Sequence, residues 1–426
     1  MSRRRFLRIG ALGLPGLTLA RWLQARAEGE TSPHAQADAV IQVYLGGGPS
    51  HVDLFDPKPD APSEYRGEFQ SLETRVVGLR FSELLTQLSK VADRLAVVRS
   101  LHHTTSDHAE GSHWILTGHP PRRSTPRSNE RPSTGSVVAI LKGARRPGLP
   151  GYVTLPEPPA FGYSAYLGPS GNPFSPLGDL AAGLVQLPNL ELPQGVALER
   201  LEDRRHLLSR LDRVNRERDA TGTMRGLDRF KAEAYAMITG SAARLAFDLS
   251  QEPEPLRDRY GRSSVGQGCL LARRLVEAGV RFVTLAEGGW DHHGQVFSAC
   301  RKQVPPLDQA LGTLIADLQD RGLADRVLLL VWGEFGRTPR VNGQAGRDHW
   351  PGAFSGILSG GGIRPGVVVG STDRKGEGPT ERPLTPADLI QTVYRAIGID
   401  PRQTLQDETG RPLPLLDGGA PIAELV

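Results

Sequence analysis

Cysteine is nearly absent from this 426-residue chain: only Cys269 and Cys300 occur, far apart and in no CxxC spacing. That excludes a zinc ribbon, a thioredoxin-type redox pair and a c-type haem, which all need closely spaced thiols. One disulfide or two buried free thiols remain as alternatives. Aromatic residues are sparse at 6%. No apolar run beyond the N-terminal segment approaches the ~20 residues needed to span a bilayer. The glycine run Gly46–Gly48 fits neither GxGxxG nor GxxxxGK[ST], so a nucleotide-phosphate cradle has little support. There is no internal repeat and no coiled-coil heptad.

Residues 1–27 read as an export signal, to be set aside before fold reasoning. Arg3 and Arg4 open "SRRRFLRIG", Ile9 to Ala20 is mostly apolar, and Ala25 and Ala27 supply small residues for cleavage after Ala27. The segment resembles a twin-arginine signal. That implies handling by the twin-arginine export machinery, a periplasmic or cell-envelope location, and no transmembrane anchor once it is removed. It carries six arginines and no acid, so its loss takes the formal charge from +4 to −2. The basic balance therefore belongs to the signal and gives no sign of nucleic-acid binding.

Residues 28–426 read as one α/β domain. "AVIQVYL" (Ala39 to Leu45), "LAVVRSL" (Leu95 to Leu101), "GYVTLP" (Gly151 to Pro156), "RFVTLAE" and "RVLLLVW" have the apolar character of buried strands. Helical spacing marks Phe81 to Arg94, Pro306 to Gly322 and Thr385 to Asp400, the last with Thr385 as N-cap. Strands alternating with helices imply a doubly wound, mostly parallel sheet with helices on both faces. The charged helical stretch from about 195 to 280 reads as a helical insertion.

Nine of the eleven histidines fall in four loops that follow or adjoin strand-like runs: His51; His102, His103, His108, His113 and His119; His292 and His293; and His349. Functional groups in open α/β sheets gather at that edge. Carboxylates accompany each loop, and imidazole with carboxylate suits a divalent transition metal: zinc, with iron or manganese as alternatives. In "GGWDHHG", Asp291 and His293 alternate, so an extended backbone points both to one side. His349 in "GRDHW" is a third candidate ligand, with Asp348 as partner or co-ligand. In "WGEFGRTPR", Glu334 is a candidate ligand or general base, and Arg337 a bidentate clamp for an anionic ester.

Six stretches carry a wider resemblance: "LGGGPSHVDLFDPKP", "GCLLARRLVEAGVRFVT", "GWDHHG", "WGEFGRTPRVN", "GRDHW" and "TPADLIQTVYRAIGID". Together they resemble domain-of-unknown-function family 1501, which is similar to the alkaline phosphatase and sulfatase superfamily. The resemblance implies an alkaline phosphatase-like fold with metal at the carboxyl edge of the sheet. By this resemblance Asp291, His293 (or His292) and His349 stand where the phosphatases hold one metal. The other metal's ligands are altered: Gly47 stands in place of an Asp, Glu334 keeps the acid, and Phe335 replaces a His, with His51 or Asp53 as compensating ligands. Counting back nine residues from Thr117, as the sulfatase pattern requires, reaches His108 and not a Ser, Thr or Cys. His108 is thus expected to act as a ligand, general acid/base or nucleophile, and a formylglycine is excluded on this frame.

Two functions follow. One is an exported metal-dependent hydrolase of a phosphate, sulfate or related ester, with an anionic ester substrate. The other is a non-catalytic relative that binds an envelope polysaccharide or a protein partner. An electron-transfer site built from the same residues is a minor third.

Overall fold

Strand β1 (Ala39–Leu45) is buried along its whole length. Alternation sends Ile41, Val43 and Leu45 into one apolar cluster and Val40 and Tyr44 into another. A strand covered on both faces must be apolar at nearly every position, which is why it reads as a continuous run. The structure, a computed structural model, describes residues 35–187, 235–238 and 240–426. Residues 1–27, and the part of the expected helical insertion between 195 and 234, lie outside the described residues.

The other strands of the main sheet are β2 (Leu95–Leu101), β3 (Tyr152–Leu155), β4 (Phe282–Glu287), β5 (Val327–Trp332), β6 (Phe354–Ser359) and β7 (Val368–Val369). Their spatial order is β7-β2-β6-β5-β1-β4-β3. β1 pairs in parallel with β4 and β5, β4 with β3, and β7 with β2. β6 runs antiparallel to both β2 and β5. The fold is therefore α/β around a mostly parallel sheet, as expected from the alternation of elements.

Five helices matter for the site: α1 (His108–Thr117), α2 (Thr134–Lys142), α3 (Ser264–Ala278), α4 (Val296–Asp320) and α5 (Pro386–Ala396). α3 and α4 bury Leu270, Leu271, Leu311 and Leu314 against one sheet face. α1, α2 and α5 bury Ile115, Val138 and Ile390 against the other. α3 is thus a layer of the sheet's own packing, although its residues fall in the range expected to form an insertion. Among the described residues, no helix is long and apolar enough to cross a membrane.

Two local expectations are corrected. Phe81 to Arg94 is not one helix: Arg80–Ser82 is a short strand, and helix begins only at Thr86. The cause is Asp308 of α4, whose carboxylate accepts from the amides of Gln87 at 2.7 Å and Leu88 at 2.8 Å and so starts the helix there. The long helix begins at Val296, ten residues before the expected start, with Pro305 and Pro306 inside it.

The parallel pairing sets the carboxyl ends of β1, β2, β4 and β5 along one edge. Because β6 is antiparallel, its amino end reaches the same edge. The loops carrying Gly47, His108, Asp291, Glu334 and His349 therefore converge there.

Candidate metal centre

α1 begins at His108 because Asp107 caps it, accepting from the amides of Ala109 at 2.9 Å and Glu110 at 3.0 Å. The segment that ends on Thr117 and Gly118 is thus a helix, and His108 is its first residue. Asp291 and His293 follow β4, Glu334 follows β5, and His349 lies just before β6.

Each imidazole is fixed through Nδ1 by a group that can only accept a proton. His349 Nδ1 lies 2.6 Å from the carbonyl oxygen of Ser106. His293 Nδ1 lies 2.9 Å from Asp348 Oδ1, and His108 Nδ1 lies 2.7 Å from Glu334 Oε1. Nδ1 must therefore carry the hydrogen in every neutral ring, which leaves a bare lone pair on each Nε2.

Those lone pairs meet one another. His293 Nε2 and His349 Nε2 are 3.0 Å apart. Asp291 Oδ1 is 3.0 Å from the first and 3.1 Å from the second, and Asp291 Oδ2 is 3.3 Å from His108 Nε2. Potential ligand atoms of His108, Asp291 and His349 all lie within 4.8 Å of one another. Four acceptors with no hydrogen to share repel one another unless a cation or a proton sits between them. This donor set therefore fits a divalent transition metal. Exposure rises across the site, from the buried Glu334 side chain (1%) to Asp291 (45%) and His293 (46%), so one side stays open to solvent.

Neighbouring charges bias the protons. The hydrogen bond with Glu334 raises the pKa of His108. Burial opposes ionisation of Asp291, but Arg337 outweighs it and holds that carboxyl well below the usual range. The hydrogen bond from His293 lowers Asp348. Phe335 packs its ring on His349 at 4.7 Å and on His108 at 5.1 Å between centroids.

Several expected site residues stand elsewhere. Asp53 is buried in an ion pair with Arg347, at 2.7 Å and 3.1 Å. His51 is buried with Nε2 2.8 Å from the carbonyl of Gly376. Neither joins the cluster, so neither replaces the altered ligands. His292 turns away to Gln303 at 3.1 Å, so His293 fills that role in the cluster. Arg337 is no open anion clamp: it is fully buried and its donors go to main-chain carbonyls and Asp291. Glu334 does not reach the Nε2 cluster itself; its Oε1 accepts from Gly47 N at 2.8 Å and holds His108. Ser112 is spent on the hydroxyl of Tyr44 at 2.8 Å.

Other residues of the site are not visible from spacing. Asn342 donates to Asp348 Oδ1 at 3.2 Å and to the carbonyl of His293 at 2.9 Å, bracing the ring from both sides. Its place in "WGEFGRTPRVN" is the one signal that points to it. His103 Nε2 donates to the carbonyl of Glu334 at 2.5 Å, and burial pushes its pKa down to about 4. Burial also raises both thiols, and Cys269 and Cys300 are free.

The fold and the site define an α/β protein with an imidazole–carboxylate centre at the carboxyl edge of its sheet. The chain belongs to the family described as Protein of unknown function (DUF1501), matched over residues 37–426. No curated protein matches it in sequence. Among solved structures it is similar to Ps i-CgsB, at 10% identity and a TM-score of 0.42, over 90% of this chain and 75% of that one. It is also similar to the lipoteichoic acid synthase LtaP from Listeria monocytogenes, at 11% identity and 0.38, over 93% and 78%. The phosphonate monoester hydrolase SpPMH from Silicibacter pomeroyi aligns at 14% identity and 0.33, over 91% and 78%.

Proposed function

We propose that this chain is an exported, metal-dependent hydrolase of an anionic ester, a phosphate, sulfate or related group. The observation that carries the proposal is the meeting of three Nε2 lone pairs and one carboxylate with no hydrogen among them. Asp291, His293, His349 and His108 would hold the ion. When bound there, a divalent cation supplies a Lewis acid for an ester oxygen and lowers the pKa of water.

The chain's own residues do the rest. Asp348 and Glu334 fix the tautomers of His293 and His108, which keeps both Nε2 atoms available. Phe335 shields the rings of His108 and His349 on one side, so water and substrate approach from the open side at Asp291 and His293. The hydroxyl of Ser112 is occupied by Tyr44, so it does not serve as nucleophile; water is the attacking group of this reading. Protons compete with the ion for His108, so affinity for metal falls as pH falls.

The test is metal content of the protein taken from its native export route. About one tightly held transition metal per chain is expected. His293→Ala and His349→Ala should each empty the site; full occupancy in both would mean that the cluster is the wrong one. Aryl phosphates, sulfates and phosphonates, with and without chelator, then test the chemistry. A second reading, a non-catalytic binder of an envelope polysaccharide or protein, draws on one observation: Arg337 is spent internally, so its guanidinium is not free to meet a substrate anion. Uniform inactivity of metal-loaded protein would favour it.

A further inference from the structure

The guanidinium of Arg337 has a binding set of its own. Nε donates to the carbonyl of Gly48 at 2.8 Å, Nη1 to the carbonyl of Arg347 at 3.1 Å, and Nη2 to Asp291 Oδ1 at 2.5 Å and to the carbonyl of Gly47. Three carbonyl oxygens and a carboxylate around one positive charge resemble the oxygen shell of a metal cation. The side chain is fully buried, and guanidinium does not lose its proton in a protein. A permanent charge is therefore built in between the β1 loop and the carboxylate of the lone-pair cluster.

Two-metal hydrolytic sites place their ions about 3.5–4 Å apart, bridged or flanked by shared ligands. The shared ligand here would be Asp291, and its Oδ1 already takes Arg337. On the other flank, Glu334 Oε1 is filled by the N–H groups of Gly47 and His108. Glu334 Oε2 is buried and without a partner, but one oxygen is not a site, and among the described residues the only cluster able to hold a metal is the one already described. No side-chain ligand fits at position 47 either: a Cβ there would lie 2.6 Å from the amide nitrogen of Asp291, and the carbonyl of Gly47 is taken by Arg337.

We propose that the centre takes a single divalent cation, and that Arg337 occupies, as part of the chain, the position a second cation would take beside Asp291. This rests on the metal-centre reading above and adds the number of ions and the role of Arg337. Arg337 is accordingly a positioning residue, acting on the ion through Asp291 and the β1 loop.

The experiment is metal counting on the full chain after loading with excess manganese or zinc and removal of loose ions. One ion per chain is expected, with the six-line paramagnetic resonance spectrum of an isolated manganese(II). Two tightly held ions, or the spectrum of an exchange-coupled pair, would overturn the inference while leaving the hydrolase proposal standing; no ion at all would overturn both.

Discussion

Gly47 has no side chain because none fits. Its φ is +114°, and a Cβ there would come within 2.6 Å of Asp291 N, so any other residue would be strained. Gly47→Ala should therefore cost about 2 kcal/mol or more, read as a lower denaturation midpoint at unchanged slope. In sequence, Gly47 reads only as a ligand lost; the contact that explains it comes from residues on another loop. The same holds for Arg337 and for Asp53. Residue type and spacing mark them as functional, but only the fold shows their partners inside the protein. His108, Asp291, His293 and His349 are legible as a group because imidazoles and carboxylates recur after strand-like runs, at the edge where such sheets gather functional groups. Asp348→Ala should weaken metal binding about 10- to 100-fold with the fold intact, because it removes the acceptor that fixes His293. Calorimetric titration checks it, and an unchanged affinity would remove Asp348 from the site.

Helix α1 joins stability to the site through one cap. Asp107→Ala removes the acceptor for two amides and should cost about 1 kcal/mol. It should also weaken metal binding, because His108 is the first helical residue; Asp107→Asn, which keeps an acceptor, should restore most of both. Thermal melts and metal titrations of the two variants give the comparison. At this scale the strands buried on both faces are the easiest to read: β1 and β2 match their apolar runs residue for residue. β6, "FSGILS", escapes because a glycine interrupts it and glycines flank it, and nothing in its own pattern announces the antiparallel direction. The segment Phe81 to Arg94 misleads because its cap, Asp308, lies 221 residues from Gln87.

Over the whole molecule, burial lowers the pKa of His51, His103, His113 and His119. These rings are neutral when folded and take up protons more readily when unfolded. Their stabilisation is present above the unfolded value of about 6.5 and is lost as pH falls. For His103, whose folded value is about 4, the loss runs from about pH 6.5 down to 4. Melting temperature should drop steadily over that interval, and a flat profile would contradict the burial of these rings. Cys269 and Cys300 should resist alkylation until the chain unfolds, since both are buried and their thiols are held protonated. The chain thus has no covalent cross-link of its own. The lone-pair cluster supplies the place for one of another kind, since it gathers residues 56 and 58 positions apart and His108, whose partner Glu334 lies 226 positions away. An ion held there fastens the ends of long loops, as a disulfide would. At a free concentration 1,000 times its dissociation constant it adds about 4 kcal/mol to the folded state, so adding chelator should lower the melting temperature and loosen three distant stretches of chain together.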